Sequence, residues 1–253
     1  MNTWLTLQEA RDALQHGAGK GVKVAVLDSG IEAGHPDLRG LALSDDLAVI
    51  SDGVQLEVRP GQGRDLFGHG TAIAGIIRHM APEAQIGSFR VLGEHLRSRT
   101  ALICEGVRQA MDRGYHILNC SFGCGRDDQV LQYKDWIDEA YIRGRHIVAA
   151  CNNYNFMKRE WPGYFPTVIT VNFIQAQLAD ALYYRAGSLV EFAARGQDLE
   201  VAWSGGARKK VTGSSFAAPH AAGLLARLIS CVPALPPLQA KALLHQLAAP
   251  WKA

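Results

Sequence analysis

The feature that most restricts the fold of this chain is a series of short, almost wholly apolar runs bounded by turn residues. They read VKVAVLD, QIGSFRV, HILNCSF, HIVAAC and TVITVNF. Strands with two apolar faces must be covered on both sides, which is typical of parallel strands packed between helices. Helix-like segments separate these runs. The sequence therefore predicts an α/β fold, a three-layer sandwich with a mainly parallel sheet.

One helix is expected after Gly70, and four more are expected at residues 100–113, 129–143, 215–229 and 236–247. The chain has 253 residues and 48% hydrophobic content, which is enough for a sizeable core. No tract rich in Pro, Gly and Ser divides it. We therefore expect one domain over residues 1–253, with residues 1–20 as an N-terminal helical extension.

Charge and apolar patterning argue against two classes of partner. Lys and Arg total 26 against 24 Asp and Glu, so the net charge of +2 provides no electrostatic basis for binding nucleic acid or an anionic membrane. The amino end lacks a basic flank followed by an apolar run, and no apolar stretch approaches the length of a membrane span. We expect an unexported protein, with its oligomeric state left open.

Cysteine usage indicates a reducing compartment. The five cysteines are odd in number and mostly lie inside apolar segments, the usual setting of buried thiols, so we expect a cytoplasmic protein. Cys120 and Cys124 lack a matching second Cys/His pair, which favours buried cysteines over a zinc site. We expect no bound metal and no cofactor.

Three polar residues near the ends of predicted elements could together perform nucleophilic catalysis. Asp28 lies in VAVLDSGIEAGHPDL, His69 in GHGTAIAG and Ser215 in GSSFAAPHAAG. A serine hydroxyl becomes a good nucleophile when a base accepts its proton, and the base works best when a carboxylate fixes its tautomer. Each residue taken alone could instead be a turn, core or capping residue.

The three motifs, in this order, resemble those of the subtilisin-like serine proteases, and the resemblance extends from about Gly21 to Leu247. It implies a subtilisin-like fold and a serine endopeptidase that acts on peptide or protein substrates. It also implies that Ser215 is the nucleophile, that His69 is the general base and that Asp28 is the orienting carboxylate.

An oxyanion donor is implied by the same resemblance. In the resembling proteases, a strand similar to HIVAACNN ends in small residues, Gly and then Asn. This alignment places Asn153 at the oxyanion asparagine and Asn152 at a glycine that lines the first specificity pocket. Because a side chain at residue 152 departs from that pattern, Asn152 is the alternative donor.

Proteases of this kind hold an extended peptide between two chain segments. By the resemblance, one wall of the first specificity pocket consists of Ser121, Phe122 and Gly123. The opposite segment is expected at Leu96, Arg97 and Ser98, although a solvated loop is an equal interpretation.

Glu160 precedes WPGYFP, and a glycine is common at the corresponding pocket floor of the family. A carboxylate there would attract Arg or Lys, because a partly dehydrated charge needs a partner. Alternatively, Glu160 belongs to a solvated charged turn with Lys158 and Arg159. We accordingly expect an intracellular processing protease with a possible preference for cleavage after basic residues.

Two features of the family are missing from the sequence. The segment GHGTAIAGIIRHMAPEAQIGSFRVLG lacks the inserted loop that wraps calcium in many secreted relatives. Asp37 matches one ligand position, but calcium requires several oxygens. Only about twenty residues precede the first strand. We therefore expect either that the chain folds unaided or that a maturation segment has been removed.

The main alternative function is a catalytically silent module that uses the same groove to bind peptides. A lipase or esterase is a weaker alternative, because GSSFA lacks the Gly-x-Ser-x-Gly turn and the order of the triad differs.

Overall fold

The computed structural model describes residues 4–53 and 55–251. Residues 1–3, 54, 252 and 253 of the expected domain lie outside the described residues. The described helices are α1 Leu7–His16, α2 His69–Met80, α3 Thr100–Asp112, α4 Val130–Ile142, α5 Ser214–Cys231 and α6 Pro237–Leu247. The described strands are β1 Lys23–Asp28, β2 Asp46–Ser51, β3 Leu56–Pro60, β4 Gln85–Arg90, β5 Ile117–Cys120, β6 His146–Ala150, β7 Ile169–Ile174, β8 Leu182–Tyr184, β9 Phe192–Arg195, β10 Leu199–Trp203, β11 Ala207–Val211 and β12 Ala249–Pro250.

Ten of the described strands form one sheet, in the order β12-β8-β9-β7-β6-β5-β1-β4-β2-β3. Its neighbouring strands are parallel except for the pairs β2–β3 and β8–β9. The five apolar runs of the sequence became β7, β6, β5, β1 and β4, which are adjacent strands in the middle of the sheet. The mainly parallel α/β fold is therefore confirmed, because these strands are covered on both faces.

Two hydrophobic cores lie on opposite faces of the sheet. The first core packs α1, α2, α5 and α6 against one face, and the second core packs α3 and α4 against the other. The residues of β1 alternate between them: Val24 and Val26 belong to the first core, whereas Ala25 and Leu27 belong to the second. Side chains at the carboxyl end of β1 therefore lie between the two layers of helices.

Helices α2 and α5 pack closely against each other, and near their starts the rings of His69 and Phe216 lie 5.1 Å apart. A Cβ atom on Gly223 of α5 would lie 2.2 Å from the Cβ atom of Met80 in α2, so only glycine permits this approach. The first core contains several Ala residues of α5 that are fully buried, which keeps the helices close along the contact. This packing holds the amino end of α2, which carries His69, near the amino end of α5, which carries Ser215.

Several elements carried no strong signal in the sequence. The pair β10–β11 forms a separate antiparallel sheet, and most of β11 is exposed. Short, half-exposed strands of this kind contain no continuous apolar run, so the apolar pattern alone does not reveal them. None of the described helices combines the length and apolar character needed to span a bilayer.

Candidate active site

The centre of the site is a buried pair formed by Asp28 and His69. Asp28 is the last residue of β1 and His69 is the first residue of α2. His69 Nδ1 lies 2.8 Å from both Asp28 Oδ1 and Asp28 Oδ2. Because an ionised carboxylate only accepts hydrogen bonds, Nδ1 carries the proton and Nε2 is left as the acceptor. The imidazole thus has the tautomer that a general base needs.

Glycines beside His69 make this approach possible. Gly68 has φ 108°, a backbone conformation that side-chain-bearing residues rarely adopt. A Cβ atom on Gly70 would lie 2.0 Å from the carbonyl oxygen of Gly30, which follows β1. The motif GHG therefore lets the start of α2 press directly against the end of β1.

The surroundings of His69 favour its protonated form. Burial by itself acts to lower the pKa of the imidazole, but the charge and hydrogen bond of Asp28 outweigh it, with a smaller effect of the Asp65 charge. The pKa of His69 is therefore raised above its ordinary value. A site that stabilises the imidazolium is suited to accept a proton during a reaction.

Asp65 is a member of this network that the sequence analysis missed. Its Oδ1 atom accepts hydrogen bonds from Ser29 Oγ (2.7 Å) and from the backbone N–H of Gly68 (2.8 Å). Its Oδ2 atom accepts from the backbone N–H of Thr71 at 2.8 Å. Ser29 Oγ also lies 3.2 Å from Asp28 Oδ1. Asp65 lies three residues before Gly68, the N-cap of α2, so it is not at the position where a capping residue is recognised in a sequence.

Ser215 lies in the first turn of α5 and is partly exposed. Its backbone carbonyl accepts a hydrogen bond of 3.0 Å from Ser121 Oγ, and the next side chain, Phe216, packs its ring 5.1 Å from that of His69. Within the part of the chain that the structure describes, no hydrogen bond joins Ser215 to His69. Catalytic hydrogen bonds of this type commonly tighten only when substrate binds.

Asn153 is close to Ser215, whereas Asn152 is engaged elsewhere. Asn153 Oδ1 accepts a 2.8 Å hydrogen bond from the backbone N–H of Ser214, so its Nδ2 group faces away from that contact. A Cβ atom on Gly213 would lie 3.3 Å from Asn153 Nδ2 and 3.6 Å from Ser215 Oγ. The Asn153 amide and the Ser215 hydroxyl therefore both lie beside Gly213.

The two polar groups of Asn152 are both used within its own loop. Asn152 Nδ2 donates to Glu160 Oε1 at 2.7 Å, and Asn152 Oδ1 accepts from the backbone N–H groups of Tyr154 and Asn155. These contacts favour Asn153 over Asn152 as the residue that could donate to an oxyanion.

The residues predicted for the specificity pocket lie together. Glu160 is half-buried, and its Oε2 atom would be 2.6 Å from a Cβ atom on Gly123. Phe122 packs against the second core, which fixes the segment that contains Gly123. Glu160 therefore lies against Gly123, and Asn152 is joined to this region through its hydrogen bond to Glu160.

The family to which the chain belongs is identified by comparison with known proteins. A sequence profile of the Subtilase family matches residues 19–250. The chain belongs to the subtilase family. As a subtilase it is a subtilisin-like serine endopeptidase, which confirms the expectation from the three motifs.

Individual subtilases resemble this chain in sequence or in structure over most of their length. Subtilisin BL from Lederbergia lenta is 29% identical over 217 residues, which cover 82% of this chain and 76% of that protein. Thermitase from Thermoactinomyces vulgaris is 28% identical over 232 residues, or 88% of this chain and 80% of that protein. The crystal structure of a cold adapted subtilisin-like serine proteinase has a TM-score of 0.73 and 25% identity, covering 90% of this chain and 82% of the other.

The second predicted peptide-binding segment lies beyond β4, where the subtilase chain turns toward α3. Leu96 packs against the second core, and Ser98 Oγ donates to the carbonyl oxygen of Val91 at 2.5 Å. Arg97 is exposed. Two of the three side chains thus hold the loop in place, and binding of peptide by this segment stays a prediction.

The residues around Asp37 do not fit the calcium site of many subtilases. Asp37 Oδ2 pairs with Arg208 Nε at 2.8 Å, so a guanidinium already faces this carboxylate. Among the described residues, no group of three or more His, Cys, Asp or Glu side chains could hold a metal ion. Calcium takes six to eight oxygen ligands, so one carboxylate that is already paired with arginine is a poor start for such a site.

We therefore expect chelator to have little effect on the thermal stability of this subtilase. A ligand that does not bind the native state cannot stabilise it, so EDTA should change Tm by less than about 2 °C. Thermal unfolding followed by circular dichroism, with EDTA and then with excess Ca²⁺, measures this. A fall in Tm of many degrees that calcium restores would contradict the prediction.

Proposed function

We propose that this subtilase hydrolyses peptide bonds through an acyl-enzyme on Ser215, with His69 as general base, Asp28 as its orienting carboxylate and Asn153 as an oxyanion donor. The observation that carries the proposal is the buried contact of 2.8 Å between His69 Nδ1 and the Asp28 carboxylate, beside the start of α5. A fixed imidazole next to a partly exposed serine is the arrangement that activates a hydroxyl group.

In the proposed first stage, Ser215 Oγ attacks the carbonyl carbon of the scissile bond while His69 Nε2 takes the hydroxyl proton. The negative charge that develops on the carbonyl oxygen is met by Asn153 Nδ2 and by the free backbone N–H of Ser215 at the helix start. His69 then passes its proton to the leaving amine, the C–N bond breaks, and an ester on Ser215 remains.

The second stage repeats this chemistry with water. His69 Nε2 takes a proton from water, the resulting hydroxide attacks the ester carbonyl, and the proton returns to Ser215 Oγ as the acid product leaves. Asp28 stays ionised in both stages and stabilises the imidazolium through its hydrogen bond.

A fluorophosphonate probe distinguishes this proposal from a catalytically silent peptide-binding module. Only an activated serine reacts with such a probe, so we expect one covalent adduct that mass spectrometry locates at Ser215. Ser215→Ala is the matched control and should not label. A folded wild-type protein that does not react would support the silent module.

We also propose that the pocket beside Gly123 prefers basic side chains, because Glu160 presents a carboxylate there. Its Oε1 atom accepts only an amide hydrogen bond from Asn152, and no ion pair joins Glu160 to any described residue, Lys158 and Arg159 included. A half-buried carboxylate with no cationic partner favours a substrate cation and disfavours an acidic side chain.

We expect Glu160→Gln to reduce the preference for Arg over Leu before the scissile bond by about ten- to a hundredfold, since a hydrogen bond to a charged group is worth about 1.5–3 kcal/mol. The measurement is kcat/KM on matched peptides with Arg, Lys, Leu, Phe or Glu at that position. Glu83→Gln, which changes an exposed carboxylate of similar size, is the control. An unchanged preference in Glu160→Gln, or a wild type that prefers Leu or Phe, would contradict the proposal.

A cytoplasmic location and an intracellular processing role are proposed from the thiols. All five cysteines are unpaired, and burial raises the pKa of Cys104 to about 11 and that of Cys151 to about 12. Unpaired cysteines are typical of proteins that stay in a reducing compartment, whereas the raised pKa only makes these buried thiols slow to react. Fractionation of the source cells followed by immunodetection tests this, and recovery of the protein only outside the cells would contradict it.

A further inference from the structure

A small aromatic surface with one lysine lies where the β10–β11 hairpin meets the loop before α2. The rings of Phe67 and Trp203 meet edge to face with centroids 5.5 Å apart. Lys209 Nζ stands 4.2 Å from the centroid of the Trp203 ring and 6.0 Å from that of Phe67. Both aromatic side chains are partly buried and Lys209 is exposed. We refer to Phe67, Trp203 and Lys209 as the hairpin platform.

The hairpin platform adjoins the residue that precedes His69. A Cβ atom on Gly68 would lie 2.7 Å from both Trp203 Nε1 and the backbone nitrogen of Ser204. Ser204 Oγ also donates to the carbonyl oxygen of Phe67 at 3.1 Å. The platform is therefore held against the chain segment that carries His69.

The layers of the fold place the platform opposite the predicted specificity pocket. Phe122, in the predicted wall of that pocket, and Trp161, which follows Glu160 in the chain, pack with the second core. The hairpin belongs to the other face, because Leu199, Val201 and Val211 are part of the first core and Trp203 packs against it. Asp28, at the carboxyl end of β1, lies between the two faces. A peptide that extends from the pocket across the reactive centre therefore runs toward the hairpin.

The direction in which the substrate peptide runs past the hairpin follows from the steps of acyl transfer. In acyl transfer, the residue before the scissile bond occupies the specificity pocket, and His69 delivers its proton to the nitrogen of the leaving group. The residues after the scissile bond thus lie on the His69 side, where Gly68 connects to the platform.

Lys209 differs from the two neighbouring cations of the hairpin in having no carboxylate partner among the described residues. Arg208 pairs with Asp37 at 2.8 Å, and Lys210 pairs with Asp198 at 3.0 Å. Among the described residues, Lys209 has no carboxylate within salt-bridge distance, and its contacts are the two aromatic rings. Successive side chains of a strand point to opposite faces, so Lys209 faces away from its two paired neighbours.

We propose that the hairpin platform is a substrate subsite for an acidic side chain within the first three residues after the scissile bond. Lys209 supplies the charge, and the rings of Trp203 and Phe67 hold its ammonium group while contacting the aliphatic part of the substrate side chain. The inference rests on the proposed function, because the direction of the peptide follows from the roles of Ser215 and His69.

The test uses internally quenched peptides that share the best-cleaved residue before the scissile bond and carry Glu, Gln or Lys at each of the next three positions. We expect wild type to prefer Glu over Lys about two- to fivefold in kcat/KM at one or more positions, as expected for a solvent-accessible ion pair. Lys209→Gln should remove the preference and Lys209→Glu should reverse it. The preference should also shrink in 0.5 M salt, at a Debye length of about 4 Å.

Lys210→Gln is the matched control, because it removes a neighbouring charge of the same hairpin that is already paired. It should keep the wild-type preference. Equal cleavage of Glu and Lys peptides by wild type, or a preference for Glu that survives in Lys209→Glu, would contradict the subsite while leaving the proposed function intact. A wild type that cleaves no peptide and does not label with the fluorophosphonate probe contradicts both.

Discussion

Ser215→Ala is expected to reduce kcat by about 10⁶-fold, the size of the effect when the nucleophile of such a triad is removed. The residual rate would come from the oxyanion donors and from substrate binding, which do not need the hydroxyl. Ser215 is partly exposed, so its replacement by alanine should leave the fold and Tm nearly unchanged. Loss of activity in this variant would thus report chemistry and not unfolding.

His69→Ala should be similarly severe, and Asp28→Asn should reduce kcat by roughly 10⁴-fold. The His69→Ala/Ser215→Ala double variant should be no slower than either single variant, because the triad acts as a unit. His69→Ala also leaves the fully buried Asp28 carboxylate with one fewer hydrogen bond, so we expect a lower Tm for this variant.

Steady-state kinetics on one well-cleaved peptide, with Tm measured for each variant, gives these values. Active-site titration with the fluorophosphonate probe corrects the wild-type concentration. Peptide cleavage by purified Ser215→Ala at the wild-type rate would show that the triad is assigned to the wrong residues.

Asn153→Ala is expected to lower kcat by about 10²–10³-fold with a smaller effect on KM, because an oxyanion donor acts mainly in the transition state. Asn153 Oδ1 is held by the backbone N–H of Ser214 at 2.8 Å, which orients Nδ2 without help from substrate. A donor that is already oriented loses little free energy when the tetrahedral intermediate forms. Asn153→Asp keeps the size of the side chain but removes the donor, so it should be at least as slow.

Asn152→Gly is the matched control for Asn153→Ala. Its amide groups contact Glu160, Tyr154 and Asn155, so its removal should loosen this loop and change the pocket more than the oxyanion. We expect a milder change in kcat and a measurable change in the preference before the scissile bond. The opposite ranking of the two variants would assign the oxyanion role to Asn152.

Much of the secondary structure could be predicted from local patterns. The helix expected at residues 100–113 is observed as Thr100–Asp112, and the one expected at 236–247 as Pro237–Leu247. Burial on both faces requires an apolar side chain at nearly every position of a central strand, which leaves a clear pattern in a single segment. The pair β10–β11 does not need an apolar side chain at every position, because most of β11 is exposed, and it therefore left no apolar pattern in the sequence.

The sequence by itself determined the sheet of parallel strands, the family and the three motifs around Asp28, His69 and Ser215, because each of these is encoded within a few consecutive residues. The tertiary structure decided how polar groups are paired. It gave Asn153 and Asn152 different hydrogen-bond partners, and it joined Asp65 to Ser29. It also placed Trp203 against Gly68.

The physical reason is that hydrogen bonds and ion pairs depend on distances of a few ångströms between segments far apart in the chain. Ser204 and Phe67 are 137 positions apart, yet their contact helps to fix the platform beside His69. Apolar patterning specifies which face of an element is buried, but it does not specify the partner of each polar side chain. Those partners follow only from how α2, α5 and the hairpin pack on the sheet.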